Sequence, residues 1–248
     1  MKKVSSITIL LLLMVFAITC LGCSGNLLTS LQESPVTIST EEIKDLKDNL
    51  ELTLKLPSLN GMKDETLQQD INNRFRSTFK QRQTEMMAER EEMEKEAEQY
   101  QFELNPFALA TDYMVTYNNH GLLSLYIDQY EYTGGAHGMT YRRPYNIDLK
   151  DGSDIKLADV FKPDSNYKVV IDKAIQAEIA KNPEGYFESE MGFQGIGDDQ
   201  FFTLQPGGIT IYFQLYDIAP YAFGIPEFKI PFSQLGNMVN PDLQKRLD

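Results

Sequence analysis

The residues best able to do chemistry lie in one glycine-rich stretch, Tyr132-Thr133-Gly134-Gly135-Ala136-His137-Gly138. It holds three glycines and one of the two histidines of the chain. An imidazole can bind a ligand or act as a base near neutral pH, and glycine lets the backbone approach a bound group. Tyr132, Gly134, Gly135 and His137 are therefore candidate binding residues. The alternative is structural, with the glycines serving an unusual backbone path and His137 hydrogen-bonding within it.

A second candidate group is aromatic and partly acidic. Tyr216, Asp217 and Tyr221 lie close together in the sequence, around Pro220. Tyrosine is enriched where one protein recognises another, so these three residues are candidate binding residues as well. The alternative is a buried corner of the sheet, because aromatic side chains mostly pack in cores.

No motif of the common enzyme classes rises above chance in the sequence. It contains no Gly-x-Ser-x-Gly, His-Glu-x-x-His or P-loop pattern. With two histidines and no cysteine after Cys23, no spacing marks a metal site. We therefore expect a non-enzymatic protein with no metal and no cofactor. A hydrolase that uses His137 is a remote alternative, and His120, in a polar turn, is expected to be exposed.

The N-terminus has the pattern of an export signal. Two lysines precede an apolar run from Ile7 to Ile18, which is short for a membrane-spanning helix. Residues 1–22 resemble a lipoprotein-type signal peptide, in which Gly22 precedes the cysteine that receives the lipid, Cys23. Cys20 is the alternative acceptor, and an ordinary cleaved signal or an uncleaved anchor is the alternative reading. Residues 23–35 read as a tether to an extracytoplasmic, lipid-anchored body.

The charge of the chain restricts its partners. The net charge is −13, and removing residues 1–22 takes away two lysines and no acid, which leaves −15. Such a charge argues against nucleic acid and against an anionic lipid surface as the main partner. A cationic partner would be attracted to it.

The elements that must position these residues indicate an α+β fold. A helix is predicted from Asp64 to about Tyr100, because this segment lacks Gly and Pro and carries apolar residues at four-residue intervals. Its second half is rich in glutamate; a solvated projecting arm is predicted, with a coiled-coil partner or an acidic binding surface as alternatives. A second helix is predicted from a cap at Asp164 or Ser165 to Lys181.

Alternating apolar residues predict the strands, with an antiparallel meander at the centre of the sheet. The predicted strands are Val36–Thr40, Leu50–Leu56, Ala110–Tyr117, Leu122–Tyr132, Met139–Leu149, a short Ile155–Leu157, Gln200–Leu204, Ile209–Leu215 and Glu227–Pro231. We predict an N-terminal α+β part over residues 36–160 and a C-terminal α+β part over residues 161–248.

The order of five short motifs resembles a known family. The motifs are Ile71-Asn72, Tyr132–Gly138, Asp159-Val160-Phe161, Ile211-Tyr212-Phe213 and Ile218–Gly224. Together they resemble the extracellular domain family shared by the anti-sigma-V factor RsiV and the accessory domain of the peptidoglycan deacetylase PdaC. The resemblance implies an α+β body in the bacterial envelope and, on the RsiV side, binding of lysozyme.

The expected function combines this resemblance with the charge and the signal. We expect an envelope lipoprotein that binds a cell-wall-related partner, such as a lysozyme-like muramidase. The alternative is a peptidoglycan-binding accessory module for separately encoded wall enzymes. Only Met1–Ser6 precede the apolar run and no catalytic domain follows, so we expect neither a sigma-factor partner nor deacetylase chemistry.

Overall fold

The structure, a computed structural model, describes residues 34–47 and 49–248. The predicted signal peptide, Cys20, Cys23 and most of the tether lie outside the described residues. The strands are β1 (Thr37–Lys47), β2 (Leu50–Asn60), β3 (Phe107–Asn119), β4 (Leu122–Tyr132), β5 (Met139–Asp148), β6 (Phe202–Gln205), β7 (Gly208–Tyr212) and β8 (Glu227–Pro231). The α-helices are α1 (Glu65–Tyr100), α2 (Tyr167–Ile179), α3 (Phe232–Leu235) and α4 (Pro241–Leu247).

Helix α1 forms where the sequence predicts it. The Asp64 carboxylate accepts a hydrogen bond from the Leu67 backbone N–H (2.9 Å) and caps the first turn. Ile71, Phe75 and Phe79 lie on one face and are buried against the sheet. The helix ends at Gln101 in the left-handed conformation (φ 57°).

The second half of α1 is docked, so the predicted projecting arm is wrong. Met86, Arg90 and Ala97 are buried along the inner face of the helix. The Arg90 guanidinium donates to the Asn105 carbonyl (2.6 Å) and lies 5.3 Å from the centre of the Phe107 ring. The glutamates of this half lie mainly on the opposite face, where water solvates them.

The larger sheet has the strand order β1-β2-β3-β4-β5. Its strands pair antiparallel except for β2 and β3, which pair parallel because α1 connects them as a crossover. The α+β class and the predicted meander β3-β4-β5 are confirmed. β2 continues past Pro57 to Asn60. Proline is tolerated there because β3 pairs with β2 only as far as Leu54, so no residue of β3 would accept a hydrogen bond from an N–H at position 57.

The turn between β3 and β4 consists of His120 and Gly121. Both have positive φ (48° and 71°), as a two-residue hairpin turn requires. His120 is half-buried rather than exposed, because its Nδ1 contacts the Arg246 carbonyl (2.9 Å) and the Tyr117 hydroxyl (3.2 Å). The C-terminal helix α4 thus packs over this turn.

Two local predictions between residues 155 and 167 are wrong. Helix α2 begins at Tyr167, because Asp164 has φ 58° and the Ser165 hydroxyl donates to the Lys162 carbonyl (2.8 Å), which forms a separate turn. In place of the strand Ile155–Leu157 there is a single β-bridge at Asp154, followed by a 3₁₀ turn at Leu157–Val160.

The smaller sheet, with the order β6-β7-β8, packs against the face of the larger sheet opposite α1. One hydrophobic cluster lies between α1 and the larger sheet, and a second surrounds β6–β8 with α2, α3 and α4. A buried polar network joins the two sheets. The Ser124 hydroxyl donates to Asn146 Oδ1 (2.6 Å) and accepts from the Leu204 N–H (2.9 Å), and Asn146 Nδ2 donates to the Phe202 carbonyl (2.9 Å). The predicted boundary at residue 160 stays a prediction.

Candidate partner-binding surface

The glycines of the Tyr132–Gly138 stretch meet different backbone demands. Gly134 has φ 88°, and its carbonyl accepts from Asn105 Nδ2 (3.2 Å). A Cβ on Gly138 would lie 2.4 Å from the Tyr130 ring and 2.5 Å from the Glu131 carbonyl oxygen. Gly135 has neither constraint. Two of the three glycines therefore shape the connection between β4 and β5.

His137 lies exposed at the tip of this connection. Its Nδ1 donates to the Gly138 carbonyl (2.9 Å), and its ring packs on Tyr221 with 4.5 Å between ring centres and 30° between planes. The Tyr221 hydroxyl donates to the same carbonyl (3.1 Å). The structure thus brings together two candidate groups that are 84 residues apart in the sequence.

Tyr216 extends this contact into a row of rings. It lies 5.7 Å from the Tyr221 ring, is 46% exposed, and has φ 69°. Asp217 holds the turn, because its carboxylate accepts from the Gln214 N–H (2.7 Å). The buried-corner interpretation is therefore wrong for Tyr216. We call His137, Tyr221 and Tyr216 the aromatic ridge. Tyr132 is half-buried on β4 and makes no ring contact within the described residues.

Beside the ridge, Tyr216 and Asp217 line an open groove of about 710 Å³ that we call the acidic groove. Four carboxylates line it, and no Lys, Arg or His does: Glu190, Asp198, Asp199 and Asp217. Of the large apolar side chains that also line it, two are exposed, Met191 (69%) and Phe201 (41%). A hydrogen bond from Lys168 lowers the pKa of Asp198. The groove thus combines negative charge with exposed apolar surface.

The loop before β6 forms one wall of the groove, and α2 fixes it. Asp172 on α2 accepts from the Ile196 N–H (2.9 Å). Gly192 permits close packing, since a Cβ there would lie 2.4 Å from the Phe187 carbonyl oxygen. Phe193 packs edge-on against Phe213 (5.6 Å). The wall is therefore attached to the core.

Sequence reasoning missed Arg142, which connects the larger sheet to the base of the ridge. Its guanidinium donates two hydrogen bonds to Asp128 (2.7 and 2.8 Å), pairs with Glu227 and stacks on Tyr126 (3.7 Å). Burial opposes its charge, but the bonds to Asp128 outweigh this and raise the pKa of Arg142. Gln214 pairs with the Arg142 backbone N–H (2.9 Å) and carbonyl (2.7 Å). The one signal in the sequence is the Arg-Arg pair within an alternating strand.

The surroundings of His137 offer no acid–base partner among the residues that the structure describes. No carboxylate contacts its ring, and Asp148, at the other end of β5, pairs instead with Arg246. Within the same residues, no three His, Cys, Asp or Glu side chains are grouped to hold a metal ion. No helix there is long and apolar enough to cross a membrane.

Two protein-family models match the chain. One, described as deacetylase PdaC, matches residues 43–140, and the other, described as a protein of unknown function (DUF3298), matches residues 158–233. Together they cover most of both sheets, the aromatic ridge and the acidic groove.

Two relatives from Bacillus subtilis (strain 168) are similar in sequence. The anti-sigma-V factor RsiV is 25% identical over 206 residues, which are 80% of this chain and 68% of that protein. The peptidoglycan-N-acetylmuramic acid deacetylase PdaC is 24% identical over 135 residues, which are 53% of this chain and 29% of that enzyme.

Two crystal structures of DUF3298 family proteins have the same fold. The protein from Bacteroides fragilis aligns over 88% of this chain and 99% of its own, with a TM-score of 0.70 and 21% identity. The protein from Pseudomonas aeruginosa aligns over 85% of this chain and 96% of its own, with a TM-score of 0.58 and 20% identity. At these identities the likeness supports the fold alone.

Proposed function

Since this chain carries the domains of the family to which RsiV and PdaC belong, we propose that it is a non-enzymatic, cell-wall-related binding module of the bacterial envelope. Its partner is a cationic, lysozyme-like muramidase. The observation that carries this proposal is the acidic groove, where exposed apolar side chains lie among four carboxylates.

The chemistry of the groove fits a basic protein surface. Carboxylates around an interface attract a cationic partner, while a few large apolar residues supply most of the binding free energy. Met191, Phe201 and Tyr216 are the side chains able to act as such anchors. The aromatic ridge extends this surface, with His137 and Tyr221 held by a shared carbonyl, so little ordering is needed on binding.

A calorimetric titration of the full chain, purified in detergent, with a cationic lysozyme at low salt tests this proposal. Tyr216→Ala is expected to weaken binding about tenfold or more, the loss typical of an exposed aromatic anchor. Tyr100→Ala is the matched control, because Tyr100 is 69% exposed at the end of α1, away from the groove lining. No binding at low salt, or equal effects of the two substitutions, would overturn the proposal.

We place the protein on the outer side of the cell membrane, held by a lipid on Cys23. Two acyl chains bury enough methylene groups for stable anchoring. Cys23→Ala is expected to move the protein from the membrane fraction to the soluble fraction, whereas Cys20→Ala should leave it in place. The reverse result would assign the lipid to Cys20.

A second candidate function is a peptidoglycan-binding accessory module that works beside separate wall enzymes. It is supported by the similarity to a peptidoglycan deacetylase and by an arginine-lined cavity beside α1, described below. Sedimentation with purified sacculi distinguishes it from muramidase binding. Hydrolysis at His137 is tested by His137→Ala, which should leave any wall-degrading activity unchanged.

A further inference from the structure

A second cavity, of about 640 Å³, lies between the middle of α1, the end of β4 and the start of β5, and it shares only Phe201 of its lining with the acidic groove. Three of the seven arginines of the chain line it, Arg82, Arg142 and Arg143, together with two glutamates, Glu85 and Glu131. In a chain with a net charge of −13, this cavity therefore has a small excess of positive charge. It differs in this respect from the acidic groove.

Among the three arginines of the cavity, Arg143 is the one available to bind a ligand. Arg82 pairs with Glu85, Glu89 and Glu131, and Arg142 pairs with Asp128 and Glu227. Arg143 is exposed and, alone among the seven arginines, forms no salt bridge with any residue that the structure describes. A guanidinium in such a position can bind a carboxylate with two parallel hydrogen bonds.

The rest of the lining suits a sugar. Tyr141, on the same side of β5 as Arg143, is 47% exposed, and Phe201 presents a second ring at the cavity. The Nε2 atoms of Gln81 and Gln129 donate hydrogen bonds to the carboxylates of Glu85 and Glu131, respectively. The Oε1 atoms of both glutamines accept no hydrogen bond from the described residues and can accept from hydroxyl or amide groups of a ligand. Aromatic faces with amide and guanidinium groups match a pyranose ring that carries a carboxylate.

We propose that this cavity binds an N-acetylated amino sugar bearing a carboxylate, as in a muramyl unit of peptidoglycan whose lactyl group carries no stem peptide, with Arg143 holding the carboxylate. The inference rests on the second of the two proposed functions, since a wall-binding module needs a contact with the glycan. It does not depend on the acidic groove or on a muramidase.

The test is a titration of the full chain in detergent with three sugars, in which NMR or calorimetry measures binding. N-acetylmuramic acid should bind. N-acetylglucosamine, which lacks the lactyl carboxylate, should bind with an affinity at least about tenfold lower. Glucuronic acid, a carboxylated sugar without the acetamido group, should also bind more weakly. Equal binding of the first two sugars, no binding of N-acetylmuramic acid, or a preference for glucuronic acid would overturn the assignment.

Arg143→Gln should lower the affinity for N-acetylmuramic acid about tenfold or more, and Arg143→Lys should retain part of it. Lys150→Gln removes one positive charge from an exposed turn outside the cavity and should have no effect. The thermal midpoints of all three variants verify that they fold. The sacculi for this comparison are first treated with an amidase that removes the stem peptides, which leaves the lactyl carboxylates free. If these sacculi sediment the wild type and Arg143→Gln equally, peptidoglycan binding stands and this site is wrong. If they sediment neither protein, while the muramidase titration succeeds, the second function is wrong and this site is wrong with it.

Discussion

At Gly138 the backbone leaves no room for a side chain. The nearest atoms to an added Cβ would be the Tyr130 ring at 2.4 Å and the Glu131 carbonyl oxygen at 2.5 Å, and a backbone atom cannot move aside cheaply. Gly138→Ala should therefore lower the free energy of unfolding by about 2 kcal/mol or more, as overpacking does. Denaturant unfolding measures this loss.

Gly135→Ala is the matched control for that change. Gly135 lies three residues away in the same connection, without positive φ and without an atom within 4 Å of an added Cβ. It should alter the free energy of unfolding by less than about 0.5 kcal/mol. Similar losses for both variants would contradict the assignment of Gly138 as a packing position.

Asp148 makes stability depend on pH. Burial opposes its charge, but hydrogen bonds from Arg246 (2.6 and 3.0 Å) and from the Lys150 N–H outweigh this and lower its pKa below the ordinary 3.8. Because the folded-state pKa is lowered, the stabilisation is present above the unfolded-state pKa and is lost as the pH falls through the folded-state pKa.

Asp148→Asn should therefore lower the free energy of unfolding at pH 7 by about 1.5–3 kcal/mol, the value of a hydrogen bond to a charged group. The difference from the wild type should shrink as the pH falls below 3.8. Asp70→Asn, at an exposed position of α1, should show no such pH dependence. Chemical denaturation at a series of pH values checks this, and a pH-independent difference for Asp148→Asn would contradict it.

At the scale of elements, Asn72 attaches α1 to the end of β2. Its Oδ1 accepts from the Leu59 N–H (2.8 Å) and its Nδ2 donates to the Leu59 carbonyl (3.0 Å), so the side chain takes the place of a neighbouring strand. Asn72→Leu would leave both buried backbone groups without these partners. The expected loss is about 2–4 kcal/mol of unfolding free energy.

Asn73→Leu provides a control with the same residue types one position along α1. Asn73 is exposed, so the change should shift the unfolding free energy by less than about 0.5 kcal/mol. Thermal or denaturant unfolding of both variants gives the comparison. If Asn72→Leu were as stable as Asn73→Leu, the amide would have no role in holding β2 to α1.

The sequence predicts elements well where their cause is local. The start of α1 depends on Asp64 and the apolar stripe on Ile71, Phe75 and Phe79, all of which lie within a few turns of each other. The predicted start of α2 is wrong because Asp164 adopts positive φ, a conformation that aspartate permits but does not require. The docking of the second half of α1 depends on Arg90 reaching Asn105, and a charge run alone does not reveal such a contact.

The candidate surface was predictable only in pieces. The residue types and spacings of the sequence mark His137 and Tyr221 separately, but their contact exists because the smaller sheet packs on the larger one. That packing depends on the buried Ser124 and Asn146 network, whose partners are backbone atoms of β6. The acidic groove likewise forms because a loop is attached to α2. The sequence pattern therefore does not indicate that its carboxylates form one group.

At the scale of the molecule, the proposed muramidase partner should respond to where the negative charge lies as well as to its sum. Glu190→Gln with Asp199→Asn removes two exposed carboxylates of the acidic groove, neither of which pairs with a basic side chain in the described residues. The association rate constant with a cationic lysozyme should fall about threefold or more at low salt, because nearby charges steer the encounter.

Glu96→Gln with Glu98→Gln changes the net charge equally, but on the exposed face of α1. This control should leave the association rate nearly unchanged. At 0.1 M salt the Debye length is about 10 Å, so only charges close to the interface still act. The association rate of the groove variant, relative to that of the α1 variant, should therefore stay lowered. Stopped-flow association at several salt concentrations measures it. Equal rates for both double variants would mean that the total charge attracts the partner and that the groove does not receive it.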